Sequence, residues 1–220
     1  MVIGLFDSGT GGKTVEAEIK KLLPTARIIY LADTVNFPYG DKSPAELKNI
    51  CRANVQSLLA QGANLIVIAC NTATAATIDY LRAEFSSLPI VGTEPAIKQA
   101  CQSSSPDAQI LLLATTSTAR SSRTRELIQS YKLPAQTVTV QACPGLADAI
   151  EAQDVAKIDA ILSALNNPPK QIETVVLGCT HYPLIHQEIQ AYFPGARLID
   201  GSPGVAREAS WNQDFLEKYQ

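Results

Sequence analysis

The sequence has no excess of positive charge: 18 Lys and Arg stand against 21 Asp and Glu in 220 residues, a formal net charge of −3. Apart from Arg120, Arg123 and Arg125 the cations are scattered, which argues against nucleic acid as a partner. Charge of either sign is sparse, 18% against 46% hydrophobic residues, so a disordered tail and a coiled-coil rod are excluded too. Missing as well is any run of the ~18–20 apolar residues that a bilayer-spanning helix needs, which excludes a membrane span. The chain opens into a strand-like stretch, residues 2–6, instead of a basic and then apolar export signal, and the expected location is the cytoplasm. There is no CxxC pair. Cysteines at 51, 70, 101, 143 and 179 make an odd set without scaffold spacing, as expected of free thiols in a reducing compartment.

What is present is a repeated alternation. Apolar runs rich in Val, Ile and Leu fall at 2–6, 27–31, 64–69, 89–91, 109–114, 137–140, 174–178 and 196–199, each followed by a turn and a helical stretch. Continuous apolar strands alternating with helices indicate βαβ units and a mostly parallel sheet covered on both faces, an α/β fold. In the stretch 45–59, Leu47, Ile50, Val55, Leu58 and Leu59 share one helical face, with Ser43 as cap and Pro44 in the first turn. Cys51 and Cys101 fall within helical stretches and read as core.

The order of elements occurs twice. Adding 109 to Cys70 gives Cys179, and each cysteine ends a matching apolar strand; a shift of about 108 carries 2–6 onto 110–114. The expected organisation is two similar lobes facing each other across a cleft that holds the active site. The first lobe is 1–96, joined by a C-terminal helix within 202–220, and the second is 97–201. The stretches 103–106 and 166–170 read as loops.

Ligands of open α/β sheets bind outside the carboxyl ends of the strands. Asp7-Ser8-Gly9-Thr10-Gly11-Gly12, Cys70-Asn71-Thr72, Thr115 to Thr118 and Cys179-Thr180-His181 all lie there. The glycine-rich loop offers main-chain N–H groups to an anion, or serves only as a packing turn. With Lys13 and Thr14 it is one residue short of a phosphate-binding loop, and Asp33 would then be the magnesium acid of a nucleotide hydrolase; Asp7 in place of the first glycine speaks against this. The two cysteines are either small buried apolar residues or a pair of acid–base groups. With a reference pKa of ~8.5, a thiol helped by local donors becomes a thiolate near neutral pH. One thiol on each side of a cleft takes a proton from a carbon while the other returns one to the opposite face, inverting a stereocentre without a cofactor. Zinc is disfavoured because Cys179 and His181 have no second pair of ligands, and cysteine hydrolases need only one thiol.

At these residues the sequence closely resembles the glutamate racemases of the aspartate/glutamate racemase family. The resemblance rests on the opening Ile3 to Gly12 loop, Leu31 to Thr34, Phe37 to Gly40, Lys42-Ser43, Ala69 to Thr74, Gly92 to Pro95, Ala142 to Pro144, Leu177 to Pro183 and Leu198 to Asp200, in family order across nearly the whole chain. It implies a two-base racemisation of a free amino acid with no metal or other cofactor, mostly L- to D-glutamate for peptidoglycan. Aspartate or another amino acid is the alternative, as is a binding protein for carboxylates or partners that kept the fold. Cys70 would serve the D-enantiomer and Cys179 the L-enantiomer, with Asp7 and His181 assisting the thiols and Glu151 acting on the His181 side. Ser8, Pro38, Tyr39, Gly40, Asn71, Thr72, Thr118 and Thr180 match positions that hold the substrate. The partner implied is a small amino acid, not a membrane; a homodimer is compatible. Asp7 as a helix cap, His181 as a core imidazole, Glu151 as a surface residue and Tyr39 as a turn residue are the alternative readings. Val35-Asn36, Pro95-Ala96 and the Gly145 to Ala149 segment depart from the family pattern.

Overall fold

A computed structural model of the chain describes residues 1–165 and 171–218; the stretch 166–170, expected as a loop, lies outside them. In chain order the elements are β1 (Val2–Asp7), α1 (Lys13–Leu22), β2 (Arg27–Ala32), α2 (Pro44–Ala60), β3 (Leu65–Ile68), α3 (Asn71–Glu84), β4 (Ile90–Gly92) and α4 (Ile97–Ser103). They continue with β5 (Gln109–Ala114), α5 (Thr116–Arg120), α6 (Ser122–Tyr131), β6 (Thr137–Ala142), α7 (Leu146–Glu151), α8 (Val155–Ser163), β7 (Thr174–Gly178), α9 (His186–Tyr192), β8 (Arg197–Asp200) and α10 (Ser202–Lys218). No helix among the described residues is long and apolar enough to cross a membrane.

The chain divides into two compact units, Met1–Thr93 with Ser202–Gln220, and Glu94–Gly201. Each holds a four-stranded, all-parallel sheet, in the orders β2-β1-β3-β4 and β6-β5-β7-β8. The central β3 and β7 are buried along their whole length and β1 and β5 nearly so, whereas the edge strands β2 and β6 are half-buried, as continuous apolar runs with helices on both faces require. In the first unit one face of the sheet packs Phe6, Ile66 and Ile68 against Leu47, Val55 and Leu58 of α2. The other packs Ile3, Leu5 and Val67 against Val15 and Ile19 of α1 and Val205 and Ala209 of α10, so the last helix completes the first unit's core. Gly4 permits the α2 contact: a Cβ there would meet the Cβ atoms of Ala63 and Leu58 at 2.9 Å.

The helix expected at 45–59 is α2. The Ser43 Oγ accepts from the Glu46 amide while Glu46 Oε2 accepts from the Ser43 amide, a reciprocal cap ahead of Pro44. Ser43→Ala is expected to lower stability by about 1 kcal/mol, read as a shifted urea midpoint with unchanged slope. Cys51 and Cys101 are fully buried, as read from the sequence.

Strand register makes the repeat precise at the level of single residues. Gly4 pairs with Ile29 and Ile66, and Leu111 pairs with Thr139 and Val175. The offset is therefore 109 for the third strand of each unit, so Cys70 corresponds to Cys179, but 107 for the first strand, not the 108 read from the sequence. One residue matters, because a single-residue slip moves every side chain to the opposite face. Asp7 corresponds to Ala114 and Asp33 to Cys143, and the same backbone bond marks both places: the Asp33 amide donates to the Asp7 carbonyl (2.9 Å), the Cys143 amide to the Ala114 carbonyl (2.8 Å).

Candidate active site

In the first unit the chemistry gathers where β1, β2 and β3 end. Cys70 leaves β3 in extended conformation and is the N-cap of α3, with its carbonyl accepting from the Thr74 amide at 2.9 Å. The Ser8 hydroxyl and the Thr72 and Ala73 amides lie where they favour a thiolate on Cys70, yet burial and the neighbouring Asp7 charge outweigh them and push the thiol up to about 12. The expectation of a thiolate near neutral pH is thus corrected for Cys70: three donors do not offset full desolvation beside a carboxylate. Cys70 is held in its proton-bearing form.

Asp7 is completely buried, and its Oδ2 accepts from the Gly9 and Gly12 amides, both at 3.1 Å. That answers the nucleotide reading. The amides a phosphate would need are turned on the chain's own carboxylate, and Tyr30 closes the loop by donating to the Gly9 carbonyl (2.7 Å). Asp33, the other residue of that reading, is buried and engaged. It accepts from the Tyr39 hydroxyl (2.6 Å), from Asn36 Nδ2 (2.9 and 3.0 Å) and from Asn54 Nδ2 (3.2 Å). The Tyr39 side chain therefore anchors its own loop with its hydroxyl on Asp33, and the Phe37–Pro38 peptide in that loop is cis. Pro38 and Gly40 on either side are half-buried.

Ser8, Asn71 and Thr72 are buried at the same strand ends. Asn71 Oδ1 is buried without a hydrogen-bond partner, which is costly unless a ligand donates to it. A bare acceptor beside a thiol and helix amides suits an ammonium group adjoining a carboxylate.

In the second unit Cys179, Thr180 and His181 follow β7, all less than a tenth exposed. His181 Nδ1 lies 3.8 Å from Cys179 Sγ and 3.5 Å from Thr180 Oγ1, while Nε2 lies 2.7 Å from Glu151 Oε2. Glu151 is the last residue of α7, a helix opened by Gly145 at φ 74°, a backbone angle that favours glycine. Its carboxylate accepting from Nε2–H leaves the Nδ1 lone pair facing the thiol, so thiol, imidazole and carboxylate form a chain along which a proton can move. Thr118 is fully buried in α5, its Oγ1 accepting from Thr115 Oγ1 (3.0 Å).

The structure thus brings Asp7, Ser8, Asn71 and Thr72 together with Cys70, and Thr180, His181 and Glu151 with Cys179. The two assemblies sit on equivalent strands with non-equivalent acids: Ala114 stands where Asp7 would be, and the carboxylate comes instead from α7. Sequence reasoning missed Asn54 and Tyr182. Nothing in the periodicity of α2 marks Asn54, which occupies its half-buried flank; Tyr182 lay inside a motif already noted, next to His181, and could have been drawn from it. No group of three or more His, Cys, Asp or Glu side chains positioned for a metal ion occurs among the described residues.

Two parallel sheets bearing corresponding thiols, each thiol with its own acid, define the class: a family model described as Asp/Glu/Hydantoin racemase matches residues 12–209, and the chain belongs to that family. The relatives narrow this further. A glutamate racemase of Stutzerimonas stutzeri is 40% identical over 210 residues, 93% of this chain and 79% of that protein. The crystal structure of Escherichia coli glutamate racemase in complex with L-glutamate and the activator UDP-MurNAc-ala is 35% identical with a TM-score of 0.85, covering 96% of this chain and 81% of that one. The Francisella tularensis glutamate racemase in complex with D-glutamate is 27% identical with a TM-score of 0.81, covering 98% and 81%.

Proposed function

We propose that the chain is a glutamate racemase that interconverts L- and D-glutamate without a cofactor and supplies D-glutamate for peptidoglycan in the cytoplasm. The observation that carries this reading is the pair of corresponding buried thiols, Cys70 and Cys179, each set beside a different acid. Relatives similar over most of the chain bind L-glutamate in one case and D-glutamate in another, which supports glutamate as the substrate.

In the L-to-D direction Cys179 works as the base. His181 Nδ1 takes the thiol proton, the Glu151 carboxylate stabilises the resulting imidazolium, and the Cys179 thiolate removes the α-proton. Negative charge moves into the substrate's α-carboxylate as it becomes an enediolate. Ser8, Asn71, Thr72 and Thr180, all buried and polar, supply the donors that lower the cost of that charge. Cys70, proton-bearing because of its burial and of Asp7, then protonates the opposite face of the carbon. The D-to-L direction reverses each step: Cys70 must first lose its proton, and Asp7 is the group beside it. The Pro38 to Gly40 backbone, fixed by the Tyr39–Asp33 bond, and Thr118 hold the remainder of the substrate. Removing one donor such as Thr180 is expected to slow racemisation by about 10²–10³.

The test is deuterium incorporation at Cα, followed by NMR in D₂O, for L-glutamate, D-glutamate and both aspartates with the purified protein and nothing added. Exchange with inversion of glutamate alone is expected. Inversion of aspartate instead would reassign the substrate, and binding without any exchange would make the chain a carboxylate-binding relative.

A further inference from the structure

Three buried side-chain atoms among the described residues have no hydrogen-bond partner: Asn71 Oδ1, Thr93 Oγ1 and the Tyr182 hydroxyl. The first belongs to the substrate site. Tyr182 is the unusual one, because its whole side chain is inaccessible and lies in an apolar cluster with Leu146, Ala149, Ile150, Cys143 and Cys179. Phenylalanine would fill that space with no polar atom to leave unsatisfied. The hydroxyl's polar surroundings are the Cys179 and Cys143 thiols and the Asp148 carboxylate; it is directed at Cys143, a weak acceptor that does not make a well-formed bond with it. The thiol proton is directed elsewhere, to the Gln141 carbonyl oxygen 3.7 Å from Sγ, so a sulfur lone pair remains for the phenol.

The strand register gives this contact a counterpart. Cys143 occupies in the second unit the place of Asp33 in the first. There the Asp33 carboxylate takes the Tyr39 hydroxyl at 2.6 Å and anchors a site loop. In the second unit a phenol again approaches the residue that follows the edge strand, but with sulfur for an acceptor. Both ends of this contact belong to the segments that build the Cys179 assembly. The Tyr182 amide donates to the Cys179 carbonyl (3.2 Å), so the depth of the ring sets the turn carrying Cys179 and His181. Cys143 leads into α7, with its carbonyl accepting from the Leu146 amide (3.3 Å), and the far end of α7 delivers Glu151 to His181.

We infer that Tyr182, seated on Cys143, is a positioning residue for the Cys179 half of the reaction: it fixes the catalytic turn against the start of α7 while Glu151 fixes it at the end. The inference rests on the two-thiol reading of the site. Because the O–H···S contact is weak, it determines placement more than it stabilises the fold, and stability and activity should respond in opposite senses when it is removed.

The experiment compares wild type, Tyr182→Phe and Cys143→Ala, measuring thermal midpoints and racemisation of protonated and α-deuterated L- and D-glutamate. Tyr182→Phe is expected to melt no lower than wild type while kcat/KM falls on the order of tenfold to a hundredfold. Its isotope effect should rise for L-glutamate, where Cys179 removes the deuteron, and fall for D-glutamate, where Cys70 does. Cys143→Ala should reproduce that asymmetry whatever it does to the thermal midpoint. Wild-type rates in both variants would overturn the inference, and so would a loss of rate with the two isotope effects unchanged, the mark of a merely structural role. Absence of α-proton exchange by the wild type would remove the two-thiol reading and this inference with it; exchange by the wild type with unaffected variants removes the inference alone.

Discussion

Cys70→Ser and Cys179→Ser are each expected to reduce glutamate racemisation by roughly 10²–10⁴, the range a single acid–base group contributes, and to leave the fold in place. A serine hydroxyl fits the space of a thiol but is far weaker as an acid and, at neutral pH, is not available as an anion. Both thiols are less than a tenth exposed, so the exchange of sulfur for oxygen happens inside the packed strand ends and not at a mobile surface. The two losses differ in kind. Cys70→Ser keeps Cys179, His181 and Glu151, and residual deuterium exchange is expected with L-glutamate and retention of configuration. Cys179→Ser keeps Cys70 with Asp7, and residual exchange is expected with D-glutamate. Circular dichroism of the product mixture reads the inversion and NMR reads the exchange. Interconversion at the wild-type rate by both variants would rule out the two-base mechanism.

The second large effect is alkaline unfolding. Burial pushes Cys51, Cys70 and Cys143 each up to about 12 in the folded chain, while unfolded thiols titrate near 8.5. Between these values the folded state binds more protons than the unfolded state, so stability is complete below about pH 8.5 and declines as pH rises toward 12. Each thiol's contribution to stability falls by about 5 kcal/mol over that interval. Together they rival the roughly 5–15 kcal/mol by which domains are stable at all, and the buried phenols of Tyr39 and Tyr182, also raised, add in the same direction. The urea midpoint is therefore expected to fall steeply between about pH 9 and about pH 11. Cys51→Ala, a change in the buried face of α2, should flatten that fall even though the smaller side chain lowers stability at neutral pH. A midpoint independent of pH across the interval would show that these thiols are not held protonated by the fold.

The architecture was legible because buried parallel strands have few alternatives. Runs such as 65–68 and 174–178 are too short for helices and carry no polar face, so covered sheets were the economical solution, and all eight runs became strands. The Ser43-Pro44 start of α2 was legible for the same local reason. Which groups touch was less so. Glu151 could be read as a surface residue until α7 placed it 2.7 Å from His181, a contact across 30 positions of sequence. The ionisation of Cys70 was misread because the residue types gave its donors but not its burial. Asp33 looked like a metal ligand, and only the fold shows it committed to Tyr39, Asn36 and Asn54.

The mismatch between Asp7 and Ala114 at corresponding strand ends has a thermodynamic consequence. Enantiomers have equal free energy in water, so at every pH the enzyme must process dilute L- and D-glutamate with the same second-order rate constant, however unlike its two halves are. In the mechanism proposed above a carboxylate assists one thiol and an imidazole the other, so nothing in the site makes the two halves respond to pH in the same way. The difference is confined to saturating conditions: the turnover numbers of the two enantiomers, and their Michaelis constants in step, are free to diverge with pH while their quotients stay locked together.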